Sequence, residues 1–183
     1  IQRPYGEGID YDEDMSERYD HGEFLSADSV RVDSALRYTT LGGRTVFGGG
    51  GIMPDLFVPA DTAERSAYLT ELLFTGAINQ FAFDLADRER QRLEAFGTPE
   101  RFAREYVLRE GQLERFQAEA EKLGVKRDPM GFARSQRLIA GRIKAVVARN
   151  IWNEPGFYRI ALGDDSIYKA ARAAMDQDLA RRP

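Results

Sequence analysis

Four consecutive glycines, Gly48–Gly51, are the first feature that suggests chemistry, because runs of free backbone N–H groups are what phosphate loops are made of. The following residues exclude that role. A phosphate loop needs Lys and Ser or Thr after its last glycine, whereas Ile52-Met53-Pro54 follow here. Pro54 has no N–H to donate, and Asp55 carries the wrong charge. The run therefore reads as backbone pressed against backbone, where no Cβ fits. His21, with Ser16, Asp20 and Ser26 nearby, has the composition of a catalytic triad. Triads are assembled in space from separate elements, so this local cluster reads instead as a solvated acidic surface. Asp10, Asp12 and Asp14 match the first three ligands of a calcium loop, but Met15 stands where the turn needs glycine. His21 stands where the closing glutamate belongs. No metal site and no cofactor are expected.

A further candidate is basic. Between Pro129 and Asn153 lie Arg134, Arg137, Arg142, Lys144 and Arg149, and no acid. Such a helix suits nucleic acid or anionic lipid. The basic positions form no continuous stripe, however, and pairing with the acidic N-terminal part or with the Glu-rich stretch at 110–121 is the expectation. Composition narrows the classes further. The 183 residues contain no Cys and one His, which removes thiolate chemistry and poly-histidine metal sites. No apolar run approaches the roughly 20 residues of a membrane helix. Ile1-Gln2-Arg3-Pro4 lacks a signal-peptide pattern and reads as the cut end of a longer chain.

The elements that must position these residues fall into two regions. The formal charge of −4 divides into −6 over residues 1–60 and +2 over 61–183. Nine of the 17 glycines lie in the first region. There, Tyr38-Thr39-Thr40, Thr45-Val46-Phe47 and Leu56-Phe57-Val58 are short β-favouring runs, with Gly42-Gly43 as a turn. Three short strands make no stable sheet alone, so they read as pieces of a larger one. Beyond Pro59 the pattern is helical. Asp61 and Glu64 have capping-box spacing ahead of Leu69, Leu72 and Leu73. Ile78, Phe81, Ala82 and Leu85 form a stripe at helical period. Gly97 ends that helix, and Thr98-Pro99 begins the next, carrying Phe102 and Tyr106. Leu113, Phe116, Ala120 and Leu123 continue it to Gly124. Asp128-Pro129 opens the longest segment, 130–152, with Phe132, Ile139, Ile143, Val146, Val147 and Ile151 on one face. A last helix is expected from Asp164 to about Leu179. The fold class is therefore mainly α. About six helices over 61–183 follow an irregular segment, 1–60, with a few short β-strands.

The run from Gly43 to Pro59 resembles the C-terminal processing peptidases, or tail-specific proteases. In that family a strand ending in Tyr-Thr passes through a Gly-Arg turn into a glycine-rich bend, and an Ile-x-Pro-Asp-x-x-Val strand closes the core. Tyr38-Thr39, Gly43-Arg44, Gly48, Gly49, Gly50, Gly51, Ile52, Pro54 and Asp55 stand where that pattern puts them. Ile1–Gly6 is similar to the segment leaving the neighbouring strand, and 61–183 to the helical extension of some members. The resemblance implies a serine endopeptidase of the cell envelope, in the periplasm, with a Ser–Lys dyad and no cofactor. It also implies a PDZ-like module that captures substrate tails by strand addition. Partners would be the remainder of the peptidase core, protein substrates and a homodimer mate, with no nucleic acid and no membrane segment. No catalytic residue carries over. Residues 1–60 contain no lysine, and Ser16, Ser26, Ser29 and Ser34 lie outside the family's nucleophile context. The motif residues are structural, and the chain reads as a non-catalytic part of its parent. The alternatives are a stand-alone helical interaction module, or a helical nucleic-acid binder using 134–149.

Overall fold

A computed structural model describes residues 11–30, 33–48 and 56–181. The chain divides into two compact units, Ile1–Ala60 and Asp61–Pro183. It is mainly helical, with one small antiparallel sheet.

The first unit opens with α1, Tyr11–Asp20. No helix was expected here, because YDEDMSERYD has no apolar stripe to read. Its acids crowd the first turns and Arg18 lies in the last, which suits the helix dipole. Arg18 Nε donates to Glu23 Oε2 at 2.7 Å, and its guanidinium lies 5.3 Å from the Phe24 ring centroid. Two single 3-10 turns follow, Ala27–Ser29 and Ser34–Leu36, begun by the side chains of Ser26 and Asp33. Strands β1, Arg37–Thr39, and β2, Thr45–Phe47, then pair antiparallel with Tyr38 opposite Val46. The expected third strand at Leu56–Val58 does not form. β-branched and aromatic residues favour a strand only where a neighbour offers ladder bonds and a surface to pack on.

The second unit holds the core. Helix α2, Ala67–Phe74, is capped by Ser66, whose Oγ accepts from Leu69 N. The expected Asp61–Glu64 box is corrected: Asp61 accepts from Ala63 N in a turn, and Glu64 reaches Arg137 instead. Helix α3, Ala77–Arg88, buries Ile78, Phe81, Ala82 and Leu85, the stripe read from the sequence. It ends at Glu89 rather than Gly97, and short α4, Arg90–Glu94, intervenes. Helix α5, Pro99–Glu105, begins as expected, with Thr98 Oγ1 accepting from Arg101 N. Helix α6, Glu110–Lys122, buries Leu113, Phe116 and Ala120, while Leu73 and Leu123 are exposed.

Helix α7, Pro129–Asp164, is capped by Asp128 and packs mainly on α3, with α5 and α2 beside it. It breaks at Trp152 and Asn153, the latter at φ 57° and ψ −151°. The first limb ends where the apolar pattern predicts. The second limb, 154–164, was not expected; Pro155 sits in its first turn, where a missing N–H costs nothing. The limbs run antiparallel. A Cβ on Gly156 would stand 2.5 Å from the Ala148 carbonyl oxygen, and one on Gly141 would stand 3.5 Å from Asp164 Oδ2. Helix α8, Ser166–Arg181, follows, with Asp165 Oδ1 accepting from Tyr168 N. Among the described residues the second unit thus has seven helices, one of them in two limbs, where about six were expected.

Candidate functional site

The β1–β2 hairpin positions three of the motif residues. Its turn is closed by Gly43 N donating to the Thr40 carbonyl at 2.9 Å and by Arg44 N donating to Thr40 Oγ1 at 3.1 Å. Gly43 has φ +79°, a backbone state that L side chains rarely adopt, so glycine at this position is a geometric requirement. Gly48 leaves β2 with its N–H donating to the Leu36 carbonyl at 2.8 Å. A Cβ at Gly48 would come within 3.0 Å of the Tyr38 ring, so this glycine is pressed against its neighbour strand. Gly49, Gly50, Gly51, Ile52, Pro54 and Asp55 lie outside the described residues, as do Ile1–Gly6 and Asp10.

The remaining sequence candidates do not assemble into chemistry. His21 is exposed at the end of α1, and Ser26 Oγ serves as the acceptor of a local turn. Asp12 and Asp14 belong to α1, not to a loop. The basic segment is spent on its own unit. Arg134 Nε donates to the Ala63 carbonyl, Arg137 pairs with Glu64 and Asp164, and Arg149 pairs with Glu154. None of these partners lies in the 110–121 helix, which pairs with Arg88, Arg115 and Arg127 instead. One further pair had no signal in the sequence: Ser135 is fully buried, its hydroxyl donating to the Glu64 carbonyl and lying 2.7 Å from Ser66 Oγ. It ties α7 to the start of α2. Among the described residues no three His, Asp or Glu side chains are grouped as a metal site requires.

Lys144 is different. It projects from the first limb of α7 towards α5, where its ammonium donates to the Ala103 carbonyl at 2.7 Å and lies 5.8 Å from the Phe102 ring centroid. Burial pushes its pKa down, while the Asp164 carboxylate pulls it up. Phe102 itself is fully buried in an aromatic cluster, stacked on Tyr106 at 4.5 Å and packed on Trp152 at 5.2 Å. That cluster fixes α5 against the break in α7. Above it opens a cleft of about 620 Å³. Its walls are α5, both limbs of α7, and α8, which contribute Arg104, Lys144, Arg159 and Arg172 together with Glu100, Asp164, Tyr158 and Tyr168. The sequence did not reveal this cleft, because its residues are spread from 100 to 172 over three helices.

Residues 68–153 match a family of unknown function, DUF8443. The match begins in α2 and ends on Asn153, so the second limb of α7 and all of α8 lie beyond it. No curated protein and no solved structure matches the chain.

Proposed function

We propose that residues 1–60 are the closing part of a C-terminal processing serine endopeptidase core, and that 61–183 are a non-catalytic helical domain appended to it. One observation supports the reading: the motif run from Gly43 onward starts on a hairpin whose turn needs glycine at its first position. Gly43 suits its positive φ, Arg44 follows it back into β2, and Gly48 lies close under the Tyr38 ring. The parent cleaves protein substrates near their C-termini in the cell envelope. A Ser–Lys dyad serves it, in which burial lowers the lysine pKa so that the amine accepts the serine proton. That dyad is contributed by other parts of the parent. Lys144, the lysine with a lowered pKa, binds a backbone carbonyl and not a serine.

The test is direct. The 183-residue chain is incubated with an unstructured peptide carrying an apolar tail, and cleavage is followed by mass spectrometry beside the intact parent. The expected outcome is cleavage by the parent, its loss when the parent's dyad serine is replaced, and none by the chain alone. Cleavage by the chain that survives repurification refutes the non-catalytic role; an inactive parent refutes the peptidase reading. The complete core within 61–183 favours a second reading, a helical interaction module that needs no peptidase. An unrelated domain encoded beside it would decide for that reading.

A further inference from the structure

Helix α7 is folded back on itself through a joint of two residues, Trp152 and Asn153, which alone depart from helical torsions within it. Asn153 is the one non-glycine with a positive φ among the described residues, at φ 57° and ψ −151°. A residue with a Cβ stays in such a region only while the surrounding structure holds it there. What holds it is the docking of the second limb. Phe157 is buried, with the Arg149 and Arg142 guanidinium groups 4.2 Å and 5.1 Å from its ring centroid. Arg137 reaches Asp164 at 3.1 Å, and Gly156 lies against the Ala148 carbonyl. Each of these contacts joins a residue before the joint to one after it. None requires that the two belong to the same molecule.

We propose that the first limb of α7 is an interaction surface for a second copy of this chain, which docks on it by exchanging residues 154–181. Opening the joint returns Asn153 to ordinary torsions but uncovers Phe157 and strips Arg142, Arg149 and Arg137 of their partners. The surface that matches the freed limb, residue for residue, is the first limb of another copy. Closure is then mutual, and the dimer is two-fold symmetric. A rod is not the open form. Inside a continuous helix Pro155 would lose the bond to the Ile151 carbonyl and crowd it, so the joint stays a joint. Because the exchange conserves the contacts, monomer and dimer differ in two things: the strain at Asn153, and the freedom lost when two molecules become one. Short joints under strain tip that balance towards exchange. This inference stands on the helical unit alone and is independent of the peptidase reading.

The experiment equilibrates the 183-residue chain over a range of concentrations just below its melting transition, cools it, and reads its mass by light scattering after size exclusion. Expected is a dimer whose share rises with concentration. Asn153→Gly relieves both joints of the dimer's monomeric competitor, so it should raise the dissociation constant at least about tenfold. Its melting curve checks that the fold is kept. A second variant shows which molecule each limb sits on. The chain has no Cys of its own, so Gly141→Cys with Asp164→Cys carries a single pair of thiols across the limbs. A short bismaleimide should join them within one chain in the monomer fraction and between two chains in the dimer fraction, as a denaturing gel shows. A chain that stays monomeric at every concentration overturns the proposal. So does a dimer whose cross-links all lie within one chain, or one that Asn153→Gly leaves equally tight.

Discussion

Every buried hydrophobic side chain among the described residues lies between Tyr68 and Phe157, and none lies in the first sixty. The two units therefore differ in what keeps them ordered. The second buries Phe81, Phe102 and Phe116 completely, each on a different helix. The first relies on individual bonds: the Thr40–Arg44 turn, the Arg18–Glu23 pair, single side-chain caps and one longer link, Ala60 N donating to the Phe24 carbonyl at 2.8 Å. A helix satisfies its backbone within one segment and needs only a face to bury. A two-stranded hairpin leaves half its ladder groups unpaired and is marginal in water alone. Order in one unit comes from burial, in the other from individual hydrogen bonds, most of them sequence-local.

Deleting the aromatic centre of the second unit should cost most. Phe102→Ala is expected to destabilise it by about 4 kcal/mol, a fall of about 12 °C in thermal melting. Gly156→Val comes next, at about 3 kcal/mol, because the new side chain is driven into the Ala148 carbonyl and cannot be accommodated by a rotamer. Denaturant titration measures both, and a loss below ~1 kcal/mol for either would show that the limbs of α7 are not packed as described. Two smaller changes should run the other way. Asn153 occupies backbone space that suits glycine, so Asn153→Gly should stabilise by about 1 kcal/mol.

Tyr68 is buried and its hydroxyl has no protein partner among the described residues, so Tyr68→Phe should also gain about 1 kcal/mol. Burial raises the Tyr68 pKa above its ordinary value of 10.0, with Glu121 and Glu71 adding to it. The folded chain therefore holds that proton more tightly than the unfolded one. Stability is fully present below pH 10 and is lost as pH rises through the raised value. Melting curves above pH 10 should show Tyr68→Phe less sensitive to alkali than the parent sequence. Smallest of all is the effect expected from the first unit. Tyr38→Ala should move the melting of the helical core by less than about 0.5 kcal/mol. Hydrogen exchange sharpens the contrast, with amides of 37–47 exchanging well before those of 139–147.

What the sequence made legible follows the same division. The α3 stripe and the Thr98-Pro99 and Asp128-Pro129 starts could be read because each rests on local spacing that tertiary packing then reinforced. α1 could not, since a polar helix carries no period. Ser66 was overlooked as a cap in favour of Asp61, because the box pattern says nothing about Glu64 being drawn away by Arg137. The hairpin was legible, but the third strand expected at Leu56–Val58 does not form, because β-propensity names a willing segment without naming a partner. The cleft was hardest. Its signal was small residues at the approach of the two limbs, Ala148 against Gly156 and Gly141 against Asp164, a pattern masked by the apolar stripe beside it.

The break at Asn153 also fixes how the chain can vary in length. A continuous 36-residue helix would be a rod of about 54 Å in which every residue's direction follows from its predecessor at about 100° per step. At Asn153 that phase is reset, so the limbs keep independent angular clocks. Replacing Asn153 by another residue that tolerates its torsions leaves both clocks running. Inserting one residue just after it turns the second limb by about 100° and swings Gly156 away from the Ala148 carbonyl. Residue type at the break is negotiable there; residue number is not.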